Sequence, residues 1–116
     1  MRTTTKDVGV MQFMHLDVYR VSREVVVAVT RLGVKDAEVR SQVSRASTSL
    51  LLNLSEGLPS RSAPMRARFF ASARGSAYEV AAAVDVAGAL GLIPEVDAAA
   101  VLALCDRVSA MLYRMR

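Results

Sequence analysis

The sequence is poor in the residue types that most metal centres use. It has one cysteine, Cys105, and one histidine, His15. These counts exclude an internal disulfide and a set of cysteine ligands for a metal. His15 has no acidic residue three positions before it, so the Glu-x-x-His motif of carboxylate-bridged metal bundles is absent. We therefore expect no metal or other cofactor. A single cysteine is compatible with a reducing compartment, and we expect a cytoplasmic location.

Aromatic residues and long apolar runs are also scarce. Aromatic residues make up 5% of the 116 residues and tryptophan is absent, which disfavours a platform of stacked rings for single-stranded nucleic acid. No apolar run reaches the length of about 18 residues that a membrane-spanning helix needs, because the longest candidate contains Asp85. The first residues of the chain lack the continuous apolar stretch of a secretory signal peptide.

Apolar residues are abundant in spite of these gaps. They make up 53% of the chain, and the mean hydropathy is +0.30. A small monomer has much surface to cover with polar groups. We therefore expect part of the apolar surface to be buried against other copies of the chain. The alternative is a monomer unusually rich in alanine and valine.

Positive charge comes almost entirely from arginine and is unevenly distributed. The net charge is +4, from thirteen arginines and two lysines against eleven acidic residues. Residues 40–74 contain six of the arginines and a single acidic residue, Glu56. The arginine side chain is a planar fork of donors suited to carboxylates and phosphates. This pattern is compatible with a nucleic-acid or acidic partner without identifying one.

The spacing of apolar residues predicts four helices in one domain over residues 1–116, with residues 1–12 frayed. The predicted helices run from about residue 14 to 32, from Asp36 to Gly57, from Ser62 to Gly91, and from Pro94 onward. Asp36 and Ser62 are typical N-caps, and Gly33 is a typical helix end. Short loops make consecutive helices antiparallel neighbours. We therefore expect an all-α fold, an antiparallel up-down-up-down four-helix bundle.

The fourth helix has a regular apolar stripe. Its members recur at steps of three and four residues, as in a coiled-coil seam. They are Val101, Leu104, Val108, Met111 and Met115. We expect this stripe to face the core of the bundle.

The second and third helices each have a ridge of polar side chains on one side. The α2 ridge consists of Gln42, Arg45, Ser49, Asn53 and Glu56, and the α3 ridge of Arg68, Ser72, Ser76 and Glu79. We expect the ridges to face each other, with arginines offsetting glutamates, because buried polar groups need partners. Gly75, beside the α3 ridge, indicates that another backbone passes close. Glu56 and Glu79 could instead form an acid/base pair, but nothing else marks a cleft, so we favour a structural role.

The order of several motifs resembles a known family. The motifs are Arg45-Ala46, Ser49, Asn53-Leu54-Ser55-Glu56-Gly57, Arg61-Ser62, Phe69-Phe70, Ala73-Arg74-Gly75-Ser76, Glu79 and Leu90-Gly91. Their spacing resembles, without a gap, that of the bacterial four-helix-bundle proteins encoded in intervening sequences of 23S ribosomal RNA genes. Three features depart from the family pattern. Arg66 stands where an aromatic residue is common, Ser55 replaces an alanine, and the first loop lacks a Phe-Pro pair.

The resemblance implies a bundle that assembles into a closed homo-oligomeric ring, typically a pentamer. The chain is also similar to the accessory protein of diversity-generating retroelements, a basic pentamer that binds a reverse transcriptase and nucleic acid. No catalytic residues are known for the family, and we expect no enzymatic activity. The family's signature positions are matched by residues to which we assign structural roles: Arg45, Asn53, Glu56, Gly57, Arg68, Gly75, Ser76 and Glu79.

We interpret the chain as an accessory protein that binds the backbone of RNA or DNA and assists a reverse transcriptase or an RNA element. The candidate contacts are Arg61, Arg66, Arg74 and Arg40. At about 100° per residue, Arg66 and Arg74 lie near each other on one side of the third helix, whereas Arg68 lies on a different side. We therefore expect Arg68 to pair internally. Two alternatives stay open: a protein-binding scaffold oligomer without a nucleic-acid role, and an ordinary solvated arginine face.

Overall fold

The computed structural model describes residues 11–115, and no strand occurs within them. The elements are a 3-10 helix Gln12–His15, α1 Asp17–Arg31, α2 Ala37–Gly57, α3 Ala63–Ala89 and α4 Glu95–Arg114. The four-helix bundle expected from the sequence is therefore confirmed. We expected residues 1–12 to be frayed, and residues 1–10 of that segment lie outside the described residues. Gln12 already belongs to the 3-10 helix.

Local signals in the sequence account for the helix boundaries. The Asp36 carboxylate accepts a hydrogen bond from the Val39 N–H at 2.9 Å, and the Ser62 hydroxyl accepts one from the Met65 N–H at 3.3 Å. Both are side-chain caps that satisfy a backbone donor of a first helical turn. Gly33 follows the end of α1 with a φ of 61°, a left-handed conformation that glycine adopts without strain.

The core lies between all four helices. α1 contacts α2 and α4, α3 also contacts α2 and α4, and so the helices close around one interior. The largest fully buried apolar side chains are Val25, Leu50, Leu54, Val43, Val80, Val84, Val101, Val108 and Leu112. Burying a side chain of this size stabilises the fold by roughly 1.5–3 kcal/mol relative to leaving it exposed.

The buried stripe of α4 differs from the predicted one. It consists of Ala98, Val101, Cys105, Val108 and Leu112, whereas Leu104, Met111 and Met115 are only half-buried. The reason is that α4 packs against α3 as well as α1. Cys105 lines a cavity with Ala77 and Ala81 of α3. This contact turns the buried stripe toward α3 and leaves Leu104 and Met111 at the margin of the core.

Because Cys105 is buried, we expect its thiol to react slowly with alkylating reagents. Desolvation raises its pKa from 9.0 to about 11, and the thiolate is the form that attacks an electrophile. At pH 8 we expect iodoacetamide to alkylate Cys105 at least about tenfold more slowly in the folded protein than in urea, since the thiolate fraction is lower and access is restricted. Mass spectrometry of timed samples measures both rates. Equal rates in the two conditions would contradict the buried position.

Candidate functional site

A long groove runs along the outer side of α2 and α3, which we call the α2/α3 face. Two adjoining cavities of about 540 and 570 Å³ make up the groove, and both include Arg45 and Ser49. The cavity nearer the start of α2, which we call the upper cavity, is also lined by Val39, Gln42, Ala46, Glu79, Ala82, Ala83 and Val86. The cavity nearer the end of α2, which we call the lower cavity, is also lined by Ser44, Thr48, Leu52, Asn53, Ser55, Glu56 and Phe69. The groove therefore presents polar and apolar side chains together.

Neutral side chains join the α2 and α3 ridges. The Ser76 hydroxyl donates a hydrogen bond to the Ser49 hydroxyl oxygen at 3.0 Å. The Asn53 side-chain amide donates to the Ser49 carbonyl oxygen at 2.9 Å and to its hydroxyl oxygen at 3.2 Å. The prediction that the ridges face each other is thus confirmed. The Ser76–Ser49 hydrogen bond links the two helices at one height, the Asn53 bonds lie within α2, and together they satisfy polar groups that are partly or wholly buried.

The charged members of the ridges are positioned differently from the prediction. Arg45, Glu56, Arg68 and Glu79 are all exposed. The hydrogen bond between the ridges is made by two serines, with Asn53 supporting Ser49 from within α2, and the four charged groups extend into solvent beside it. Long charged side chains keep their heads in water while their stems cover apolar surface. We expected arginines and glutamates to neutralise one another between the two ridges. Instead, neutral side chains make the contact, and the charged side chains are exposed beside it.

The two ridge carboxylates lie in different parts of the groove. Glu79 lines the upper cavity, and Glu56 lines the lower one with Phe69. Ten residues separate Phe69 from Glu79 along α3, a distance of about 15 Å in a helix. Paired catalytic carboxylates of glycosidases lie about 5–9.5 Å apart across one substrate. The geometry does not bring these two glutamates to a common substrate position.

Arg66 is bound to the end of α2. Its guanidinium Nη1 donates to the carbonyl oxygen of Leu58 at 2.7 Å, and more weakly to those of Ser60 and Gly57 at 3.3 and 3.4 Å. It also lies 5.1 Å from the centroid of the Phe70 ring. A cation at a helix C-terminus satisfies free carbonyls and complements the negative end of the helix dipole. Arg66 thus fastens the α2–α3 turn to the start of α3.

The other candidate arginines fall into two groups. The Arg40 Nη1 donates to the Val34 carbonyl oxygen at 2.8 Å, and Arg74 lies 5.9 Å from the centroid of the Tyr113 ring. Arg40 is nevertheless exposed, as are Arg61 at the α2–α3 turn and Arg68 at the start of α3. Arg66 therefore takes the internal role that the sequence suggested for Arg68.

The glycines differ in how closely other groups approach them. A Cβ atom at Gly57 would lie 2.8 Å from the Phe69 Cβ and 3.0 Å from a Phe70 ring carbon. A Cβ atom at Gly75 would meet nothing within 4 Å. Sequence reasoning placed the close backbone approach at Gly75. Close approaches occur instead at Gly57, where the end of α2 passes the two phenylalanines of α3, and at Gly88, where Glu95 and Ala98 of α4 lie close.

Two kinds of feature are absent from the part of the chain that the structure describes. In residues 11–115, no three His, Cys, Asp or Glu side chains are grouped so that they could hold a metal ion. Over the same residues, no helix has both the length and the apolar character needed to cross a membrane.

These features define a small all-α protein, a four-helix bundle whose second and third helices are joined by neutral polar side chains. The family model of the 23S rRNA-intervening sequence protein matches residues 14–114. Since the match covers all four helices, the chain belongs to this family. The motif resemblance found from the sequence is thereby confirmed. No curated protein matches the chain.

Proposed function

We propose that this protein is a non-enzymatic, homo-oligomeric accessory protein that binds the phosphate backbone of RNA or DNA. In this proposal it acts in the cytoplasm and assists a reverse transcriptase or an RNA element. The observation that carries the proposal is the separation of charge along the chain. Residues 40–74 contain six arginines and one acidic residue, whereas residues 75–106 contain five acidic residues and no arginine or lysine.

The proposal includes the antiparallel up-down-up-down order of helices, which contacts between α2 and α3 support. Gly57 at the end of α2 lies against Phe69 near the start of α3. Val39 near the start of α2 lines a cavity with Val86 near the end of α3. As the chain advances along α2, its contacts on α3 move backward. The same holds for α3 and α4, where Arg74 contacts Tyr113 and Gly88 lies close to Ala98.

With this order, the end of the bundle that holds the α2–α3 turn is the more basic of the two. The basic end is formed by the α2–α3 turn and the end of α4, with Arg61, Arg66, Arg68 and Arg114. The opposite end contains Asp36, Glu38, Glu95 and Asp97, but also Arg31, Lys35 and Arg40, so its opposite charges nearly balance. Arginines at one end can contact phosphates in a manner that gives affinity without reading sequence.

Oligomerisation would multiply this charge. The apolar content of 53% and the membership of the family support a homo-oligomer, and the family resemblance favours a closed pentameric ring. Rotational symmetry places equivalent ends of all copies on the same side of a ring. Each copy would then add its exposed Arg61 and Arg68 to one continuous basic rim.

Salt-dependent binding tests the nucleic-acid role. We expect the purified protein to bind labelled structured RNA and duplex DNA with an affinity that falls steeply between about 50 and 200 mM salt, because phosphate contacts release counterions. The double variant Arg61→Ala/Arg68→Ala should weaken binding at least about tenfold and flatten the salt dependence. A matched control, Arg23→Ala/Arg31→Ala, removes the same charge from exposed positions of α1. Absence of binding at the lowest salt contradicts the nucleic-acid role.

Exposed apolar side chains favour a second candidate function, a scaffold that binds protein only. Leu90 is 66% exposed and Val96 is 75% exposed at the α3–α4 turn. Contiguous exposed apolar surface marks protein interaction sites. Binding to a protein partner through such a surface would change little with salt, whereas phosphate binding would weaken steeply. The salt titration therefore separates the two functions.

A further inference from the structure

We infer that the α2/α3 face of one copy binds the α1/α4 face of a second copy through two charge pairs. By the α1/α4 face we mean the outer side of α1 and α4 around Glu24 and Arg107. The inference deepens the proposed function and rests on its homo-oligomeric part, since it names the surfaces that join neighbouring copies. One pair is Arg45 with Glu24 of the neighbour, and the other is Glu79 with Arg107 of the neighbour.

The two charges on the α2/α3 face lie side by side. Arg45 of α2 and Glu79 of α3 line the same upper cavity and are both exposed. The Ser49–Ser76 hydrogen bond lies one turn below them and fixes the relative height of the two helices. The face therefore offers a positive charge on α2 and a negative charge on α3 at one height.

The α1/α4 face offers the reverse arrangement. Asp17 of α1 and Arg114 of α4 line one cavity, so they lie at one height. Glu24 lies seven residues after Asp17, and Arg107 seven residues before Arg114. Seven residues are about two helical turns, or ~10 Å, which keeps a side chain on the same side of its helix. Because the two helices run in opposite directions, the exposed Glu24 and Arg107 also share one height.

The charges of the two faces lie at the same height in the bundle. Asp106, the residue before Arg107, lines a cavity with Tyr78, the residue before Glu79. Rotation about an axis parallel to the helices leaves heights unchanged. The helices contact one another in the cyclic order α1, α2, α3, α4. When the two opposite faces of neighbouring copies meet, α2 is therefore opposite α1 and α3 is opposite α4.

This arrangement brings opposite charges together in both pairs. Arg45 meets Glu24 of the neighbouring copy, and Glu79 meets Arg107 of the neighbouring copy. Electrostatic complementarity of this kind selects a partner and fixes its register. An inverted approach, with α2 opposite α4, would place like charges against each other in both pairs. The charge pattern thus selects one orientation of the second copy.

Apolar side chains lie above the charge pairs on both faces. On the α2/α3 side, Val86 is 48% exposed and Leu90 is 66% exposed. On α4, Val96 is 75% exposed, and Ala100 and Ala103 are exposed below it. Gly88 of α3 lies against Glu95 and Ala98 of α4, so these two groups of apolar residues share one height. Docking of the two faces would remove both groups from water, which is favourable.

The position of the two faces on the bundle decides which kind of assembly the contact can form. They lie on opposite sides of one chain, so the contact is heterologous and leaves one free face on each end copy. Repetition of such a contact generates a closed ring when the rotation between copies is a simple fraction of a turn. The open space outside Gly75, which lies on the α2/α3 face, is then available to the neighbouring chain.

Charge reversal tests this interface. We expect wild-type protein to sediment as an oligomer in analytical ultracentrifugation at about 150 mM salt. Glu79→Arg and Arg107→Glu should each raise the dissociation constant of the oligomer at least about tenfold, because each places like charges together. The double variant Glu79→Arg/Arg107→Glu should restore it to within about threefold of wild type. Arg45→Glu and Glu24→Arg form a second, independent swap with the same expected pattern.

Control reversals separate a local contact from a general charge effect. Asp85→Arg and Arg23→Glu change exposed residues that lie about 100° round their helices from the interface residues Val86 and Glu24, and we expect them to leave the dissociation constant unchanged. An oligomer that withstands all four interface reversals overturns this inference alone and leaves the proposed oligomer intact. A wild-type protein that stays monomeric overturns both the inference and the oligomeric part of the proposed function.

Discussion

Replacement of Gly57 by alanine should lower the free energy of unfolding by about 1–3 kcal/mol, the range typical of overpacked sites. The added Cβ would lie 2.8 Å from the Phe69 Cβ, an atom bonded directly to the backbone of α3. It would also lie 3.0 Å from a carbon of the Phe70 ring, and Phe70 is buried. Neither phenylalanine can yield by a simple side-chain rotation, so α2 and α3 must move apart.

Gly75→Ala is the matched control for this prediction. The same methyl group meets nothing within 4 Å at Gly75, and alanine favours a helix interior over glycine by roughly 1 kcal/mol. We therefore expect the control to stabilise the chain while Gly57→Ala destabilises it. Urea unfolding followed by circular dichroism measures both changes, at a concentration at which sedimentation shows wild type to be monomeric. Equal changes for the two variants would contradict the close packing at Gly57.

The helix boundaries follow from short-range signals and were predictable. Asp36 and Ser62 each accept a hydrogen bond from an N–H three residues ahead, a contact that depends on local sequence alone. The buried stripe of α4 was not predictable in the same way. Two stripes at steps of three and four residues share Val101 and Val108, and packing against α3 selects the one that contains Cys105.

The glycines illustrate the same limit of sequence reasoning. A glycine within a helix indicates a close approach in general, and Gly75 was the obvious candidate. The approach occurs at Gly57 because the turn after α2 brings the chain back past Phe69 and Phe70. Only the path of the turn reveals this contact. The open environment of Gly75 then becomes a property of the α2/α3 face.

The contact between the two polar ridges was predictable, but which of their side chains make it and which stay exposed was not. Spacing along each helix brings Ser49 and Ser76 together, and the hydrogen bond between them is present. The sequence could not indicate that the charged members would remain exposed, since a long side chain can turn inward or outward. Their exposure leaves Arg45 and Glu79 accessible for the proposed contact with a second copy.

The arginines of the basic segment separate into structural and surface groups for a physical reason. Arg66 lies within reach of three carbonyl oxygens at the end of α2, whereas Arg68, half a turn further on, faces solvent. The four-residue spacing from Arg66 to Phe70 and the nearby helix end were signals that could have identified this role. The proposed phosphate contacts therefore centre on Arg61 and Arg68.

Replacement of Arg66 by alanine should lower the free energy of unfolding by about 2–4 kcal/mol. The estimate combines a charge-assisted hydrogen bond, worth about 1.5–3 kcal/mol, with a cation–π contact of about 0.5–1 kcal/mol. The Leu58 carbonyl oxygen, 2.7 Å from the guanidinium, loses its strongest side-chain donor. Leu58 itself is buried, so water replaces the guanidinium only in part. Chemical denaturation at fixed protein concentration measures the loss.

Arg68→Ala is the matched control, since it removes the same charge from an exposed position two residues away. Surface substitutions of this kind usually change stability by less than about 0.5 kcal/mol. The two variants should also differ in nucleic-acid binding: Arg68→Ala weakens it without loss of stability, and Arg66→Ala acts mainly through stability. If Arg66→Ala weakened binding while the unfolding curve stayed unchanged, Arg66 would be a phosphate contact. In that case, the structural role argued from its carbonyl partners would be wrong.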